Sequence, residues 1–285
     1  MQTLHRRLDL TGAPRQVRWG LRIDTLAPWV WLALLAATLW PSWLWMGRRM
    51  LDRSDDPLGL LALAALGALT WAHRRCLRHA PRLGWFALAL GGAVLATAAH
   101  GLLPGLVVAL LALLALAAAL AAFLPAAVAS APLIGLSVLA LPLLASLQFY
   151  AGFPLRLVTA EASRWLLLIS HDVERRGASL QVDGHLVIVD APCSGVQMAW
   201  LGYFTACLVT LYLGRGNRAF LTRLPAVSAL VLAGNIVRNT ALVALEASGQ
   251  PLPGWMHEAI GLMVLAIVCS AIAWLMSRPH GERRV

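Results

Sequence analysis

The amino-acid sequence predicts an all-α polytopic membrane protein. It should have about eight transmembrane helices, one amphipathic interfacial helix and a small extracytoplasmic β-hairpin. Three observations carry that prediction. Of 285 residues, 60% are hydrophobic and only 13% are charged, about half the roughly 25% charged share of a soluble globular domain. The apolar residues are gathered into eight long runs. A single polar block of about 45 residues separates the fifth run from the sixth. The formal charge of +10 comes from arginine alone, as the chain has no lysine. Those arginines fall between apolar runs, which is the pattern of a topology signal and not of a nucleic-acid-binding face, so no nucleic-acid partner is expected.

Residues 1–25 are basic and polar, with Arg6, Arg7, Arg15, Arg18 and Arg22. They are expected to form a cytoplasmic tail leading into an uncleaved anchor. The first apolar run, Leu26 to Met46, is rich in tryptophan, a residue that anchors at membrane interfaces. The second, Pro57 to Ala72, is short for a bilayer that needs about 20 residues. Leu83 to Ala99, Leu102 to Leu124 and Ala126 to Tyr150 complete an N-terminal five-helix region over residues 26–150. In the polar block, Phe153 to Ile169 interrupts apolar positions with Arg156, Glu161 and Arg164, as in a helix lying in the interface. Two strand-like runs then flank Asp183-Gly184, a short-range signal for a hairpin over 178–189 because the tight turn needs positive φ. Val196 to Leu213, Leu224 to Leu245 and His257 to Met276 are the last three spans, and residues 277–285 form a basic tail.

With the N-terminus inside, the inner segments hold 15 arginines and the outer segments 7. Both termini are therefore predicted cytoplasmic, and the polar block extracytoplasmic.

The block ends in Val189-Asp190-Ala191-Pro192-Cys193-Ser194-Gly195-Val196-Gln197. Pro192 cannot continue a strand ladder and Ser194 suits a helix N-cap. Cys193 thus stands at the mouth of a helix, where backbone amides and the macrodipole favour a thiolate. Arg238 lies well inside the seventh run, in its outer half. A guanidinium there cannot shed its proton, so it must face protein, water or an anion; pairing with a carboxylate such as Glu246 is the purely structural reading. Asn235, three residues earlier, is expected on the same helical face. His257 opens the eighth run after Pro251-Leu252-Pro253-Gly254, again at the outer end, although a histidine there is often a plain interfacial group.

Three distant stretches thus bring a thiol, a guanidinium and an imidazole to one membrane face. That set suits acyl transfer through a thioester. Cys193 would attack a peptide carbonyl, His257 would move protons, and Arg238 would hold the thiolate or the oxyanion. His171 could assist or replace His257, and Ser194 is a second possible nucleophile. His73, Cys76 and His79 recur at intervals of three, but in an arginine-rich turn that repels a cation. Neither a metal nor a cofactor is expected.

Pro192-Cys193-Ser194-Gly195, Asn235-Ile236-Val237-Arg238-Asn239 and His257-Glu258 with Gly261 resemble the exosortase/archaeosortase family of membrane cysteine transpeptidases, over about Phe153 to Met276. The histidine at the third position resembles the bacterial branch. The resemblance implies an exosortase-like catalytic region over 151–276, with Cys193, Arg238 and His257 catalytic and Ser194, Asn235 and Asn239 in support. It also implies a place in the bacterial inner membrane. The implied partners are the lipid bilayer and exported proteins whose C-terminal sorting signal (a short motif, a transmembrane helix and a basic tail) is cleaved. A different class of protein, a transporter or channel component for envelope polysaccharide with Arg238 binding an anion, fits the same composition.

Overall fold

The computed structural model describes residues 26–51, 56–187, 194–247 and 253–279. Among the described residues there are ten helices and a three-stranded sheet. Each of the eight apolar runs is helical, but the helices do not match the runs one for one.

The first run is broken into α1 (Pro28–Thr38) and α2 (Trp40–Leu51), bent by 63°. α3 (Gly59–Ala72), α4 (Leu83–Ala98) and α5 (Gly105–Phe123) follow the second, third and fourth runs. Leu124 turns extended ahead of Pro125 and ends α5, as the residue before a proline tends to do.

The expected fifth span and the expected separate interfacial helix both need correction. The chain forms a short α6 (Ser130–Leu139), then α7 (Leu144–Leu167) at 94° to it. Pro142 is the local cause, having no amide to donate and disfavouring helix at Leu141. The amphipathic stretch is therefore the second half of α7, and Pro154 is accommodated inside that helix. α8 (Val196–Tyr212), α9 (Asn217–Glu246) and α10 (Gly254–Ser277) complete the bundle. Among the described residues three helices, α5, α9 and α10, are long and apolar enough to span a membrane, or five spans if each bent pair counts as one. The expected count of eight is not reached on that measure, because α3, α4 and α8 are shorter than a full crossing.

The hairpin also proves larger than the sequence indicated. β1 (Val173–Arg176), β2 (Ser179–Val182) and β3 (His185–Val187) form one antiparallel sheet in that order. Leu180 lies opposite Arg175 on β1 and Val187 on β3. Asp183 and Gly184 make the turn with φ of +48° and +86°, the pair of positive values a two-residue hairpin requires. β1 escaped the sequence reading because Val-Glu-Arg-Arg has no alternation of its own. The sheet lays Val173, Leu180, Val182 and Val187 on Ala160 and Leu167 of α7 and on Val243 and Ala247 at the end of α9. Glu161 of α7 pins it further, meeting Arg175 at 2.6 Å and Arg164 at 3.1 Å.

Helix ends are closed by arginine. The Arg82 guanidinium donates to the Ala121 carbonyl near the end of α5. Arg215 and Arg223 donate to the carbonyls of Ser277 (2.7 Å) and Met276 (3.0 Å) at the end of α10. Carbonyls at a helix C-terminus have no intrahelical donor, and a cation there also complements the macrodipole.

Candidate active site between α8, α9 and α10

The start of α8, the C-terminal half of α9 and the start of α10 lie at the end of the bundle that carries the sheet. Cys193, together with the rest of 188–193, lies outside the described residues; the chain is described again from Ser194. The Ser194 hydroxyl donates to Gln148 Oε1 of α7 at 2.8 Å. It was expected to cap α8, but the capping position is Gly195, with φ of +83° and no side-chain cap. Ser194 Oγ accepts a long 3.4 Å bond from the Val196 amide, so its firmer commitment is to α7.

Gly195 makes a close approach possible. A Cβ added there would stand 2.7 Å from Asn235 Cγ and 2.8 Å from its Nδ2, inside van der Waals contact. Asn235 in turn donates to Thr159 Oγ1 of α7 at 3.1 Å. One turn on, Asn239 donates to Ser163 Oγ at 2.9 Å. All four side chains are buried, with exposures of 0 to 2%. They form two rungs between α7 and α9, spaced four residues apart on each helix, as parallel neighbours would be.

Asn235 and Arg238 do not face the same space, contrary to the expectation of a shared face. Asn235 lines a groove of about 250 Å³ with Ser194, Ala199, Tyr203 and Ser228. Arg238 lines a different cavity, of about 320 Å³, between α8, α9 and α10. Its polar mouth is Gln197, Arg238 and Glu258, and its apolar wall includes Met198, Leu201 and Leu262. Positions three apart on a helix differ by about 60° in direction, enough here to send the two side chains to opposite sides of α8. The Arg238 guanidinium rests against α10, with Nε 3.1 Å from where a Gly261 Cβ would stand. His257 is half-buried on α10 one turn before Gly261, its amide bonded to the Pro253 carbonyl at 3.4 Å. It is not among the residues lining this cavity.

Residues 49–275 match the family model of the transmembrane exosortases (Exosortase_EpsH). The chain is a member of that family. No curated protein and no solved structure gives a significant match. Exosortases are membrane cysteine transpeptidases as a family, and this one is a multi-pass membrane protein in contact with the bilayer.

Several residues of this exosortase's site carried no distinct signal in the sequence. Gln148, Thr159 and Ser163 recur along α7 at helical spacing, yet each looks like an isolated polar residue until α9 is docked on it. Gln197 and Glu258 sit beside the motif residues, but only the cavity gives them a common surface. His171, the second candidate histidine, has its Nδ1 at 2.7 Å from Asp183 Oδ2, at the junction of α7 and the sheet. Asp183 also accepts from the Asp172 amide at 3.0 Å. Those two contacts hold the Asp183 carboxyl below its usual range.

Proposed function

We propose that this exosortase is a cysteine endopeptidase/transpeptidase that cleaves C-terminal sorting signals of exported proteins through a thioester at Cys193. What supports the reading is the meeting of the start of α8, which follows Cys193 in the sequence, with the parts of α9 and α10 that carry Arg238 and His257. Gly195 packs on Asn235 of α9, one turn from Arg238, whose guanidinium rests against Gly261 of α10, one turn from His257.

In the proposed reaction the Cys193 thiolate attacks the scissile carbonyl carbon. The C–N bond breaks, the amine leaves with a proton from the His257 imidazolium, and an acyl thioester remains. An incoming nucleophile then gives its proton to His257 and attacks the thioester, releasing the thiolate. Arg238 supplies a fixed positive charge for the thiolate or the oxyanion. Ser194, Asn235 and Asn239 serve by fixing the start of α8 and the outer half of α9 to α7. The catalytic region proposed for 151–276 takes in residues from Leu144, since α7 is one helix and Gln148 belongs to the site. The protein sits in the bacterial inner membrane with both termini in the cytoplasm and the site on the far side.

The test is co-expression with a tagged substrate ending in motif, helix and basic tail. Processing should vanish for Cys193→Ala, and for Arg238→Ala and His257→Ala, with each variant still inserted at normal levels. A transporter of envelope polysaccharide would work normally with Cys193→Ala, an outcome that would overturn the peptidase reading.

A further inference from the structure

We infer that Gly261 is a positioning residue for Arg238: having no side chain, it lets the guanidinium lie against the α10 backbone and so fixes where that charge points. The inference rests on the proposed role of Arg238. Three atoms of the group, Nε, Nη2 and Cζ, lie 3.1, 3.3 and 3.4 Å from the place a Cβ would take. All three belong to the charged head group, whose Nε–Nη2 edge is nearest the glycine.

Other glycines of these helices serve a different end. A Cβ at Gly234 would collide with Val268 Cγ2, and one at Gly202 would meet Val231 Cγ2 at 2.6 Å. Those two admit an aliphatic side chain from a neighbouring helix, which is ordinary close packing of membrane helices. In these helices Gly261 is the glycine that admits a cation. The distinction matters because a guanidinium stays charged at every working pH. Its strength cannot be tuned, so the protein can control only its place. Arg238 carries a long, rotatable stem, and Glu258 lines the same cavity on α10, three residues before Gly261. A guanidinium pushed off the glycine would be free to turn toward that carboxylate.

The experiment uses the full-length protein in lipid nanodiscs and follows iodoacetamide alkylation of Cys193 against pH, read by mass spectrometry of the Cys193 peptide. Arg238→Ala should move the profile to higher pH and slow alkylation at pH 7 about 10-fold, the loss of one nearby cation. Gly261→Ala should slow it about 3-fold or more, and Gly261→Leu about as much as Arg238→Ala. In an Arg238→Ala background Gly261→Ala should add nothing, as expected for residues acting through one contact. Gly234→Ala, the packing control, should lower the melting temperature and leave the profile in place. If Arg238→Ala shifts the profile while Gly261→Ala does not, or if Gly261→Ala acts equally in both backgrounds, Gly261 is only a packing residue. If Arg238→Ala itself has no effect, the role proposed for Arg238 fails and the inference with it.

Discussion

The two halves of this exosortase differ in how far their buried polar groups reach. In α1–α6 the buried hydroxyls of Thr70 and Ser137 donate to carbonyls four residues back in their own helix, at 2.8 and 3.0 Å. Such bonds satisfy the group locally and commit the helix to no partner. In α7–α10 the buried Thr210 does the same, donating to Ala206 at 2.7 Å, but two buried asparagines reach between helices, Asn235 to Thr159 and Asn239 to Ser163. Burial differs as well. The best window of α5 is 67% buried, whereas those of α9 and α10 are 28% and 22% buried. α5 is thus an apolar post enclosed by its neighbours. α9 and α10 keep wide faces open while directing polar groups inward. The first half gains cohesion by apolar contact of small residues, and the second gains orientation by polar contacts of fixed geometry. The site proposed here, which would hold a cation, a thiol and an imidazole in register, calls for the second kind of packing.

Substitutions can break or sharpen this contrast. The largest effect is expected at the proposed nucleophile, where Cys193→Ala should reduce substrate cleavage by roughly 10³-fold or more, measured as the ratio of cleaved to uncleaved tagged substrate. Arg238→Ala should follow at roughly 10²-fold or more, the usual scale for removing a group that stabilises developing charge. Arg238→Lys should recover only part of it, because an ammonium lacks the flat group that Gly261 accommodates. The polar rungs come next. Asn235→Ala and Thr159→Ala should show a coupling of about 0.6 to 1.7 kcal/mol in a double-mutant cycle of detergent unfolding. Ser137→Ala in α6 should change stability by no more than a few tenths of a kcal/mol, since its bond lies within one helix. Equal effects in the two halves would erase the contrast.

The smallest effect concerns the sheet. The Asp183 carboxyl is depressed by His171 and by the Asp172 amide. A carboxyl depressed in the folded state adds stability above its unfolded pKa of about 3.9, and that stability is lost as pH falls through the lower folded value. Protection of the β2 and β3 amides, taken relative to their intrinsic exchange rates, should therefore fall below about pH 4 in the native protein. Asp183→Asn should remove that acid step while leaving the neutral-pH site chemistry alone. A sheet whose exchange is indifferent to the substitution would mean that Asp183 is decorative.

Much of the architecture was legible in single stretches of sequence. The Asp183-Gly184 turn announced itself because positive φ is a local demand. The break between α6 and α7 at Pro142 was not legible, since an uninterrupted apolar count over Ala126 to Tyr150 reads like a straight span. The same limit applied at Asn235 and Arg238, whose spacing suggests one face until the neighbouring helices divide it into two spaces. Ser194 looked like a cap from its position alone, and Gln148, 46 residues away, drew its hydroxyl elsewhere.

The sequence by itself determined that this is a membrane protein, which residues could bear the chemistry, and that a tight turn lies just upstream of Cys193. Those are consequences of hydropathy, side-chain type and local dihedral preference, and none needs a distant partner. Only the tertiary structure decided that α7 bends 94° from α6 and offers Thr159 and Ser163 to α9, and that Gly261 receives the Arg238 guanidinium. Contacts between residues 76 apart, such as Asn235 and Thr159, exist only once the helices have docked. Docking is set by the packing of whole helix faces, which short stretches do not encode.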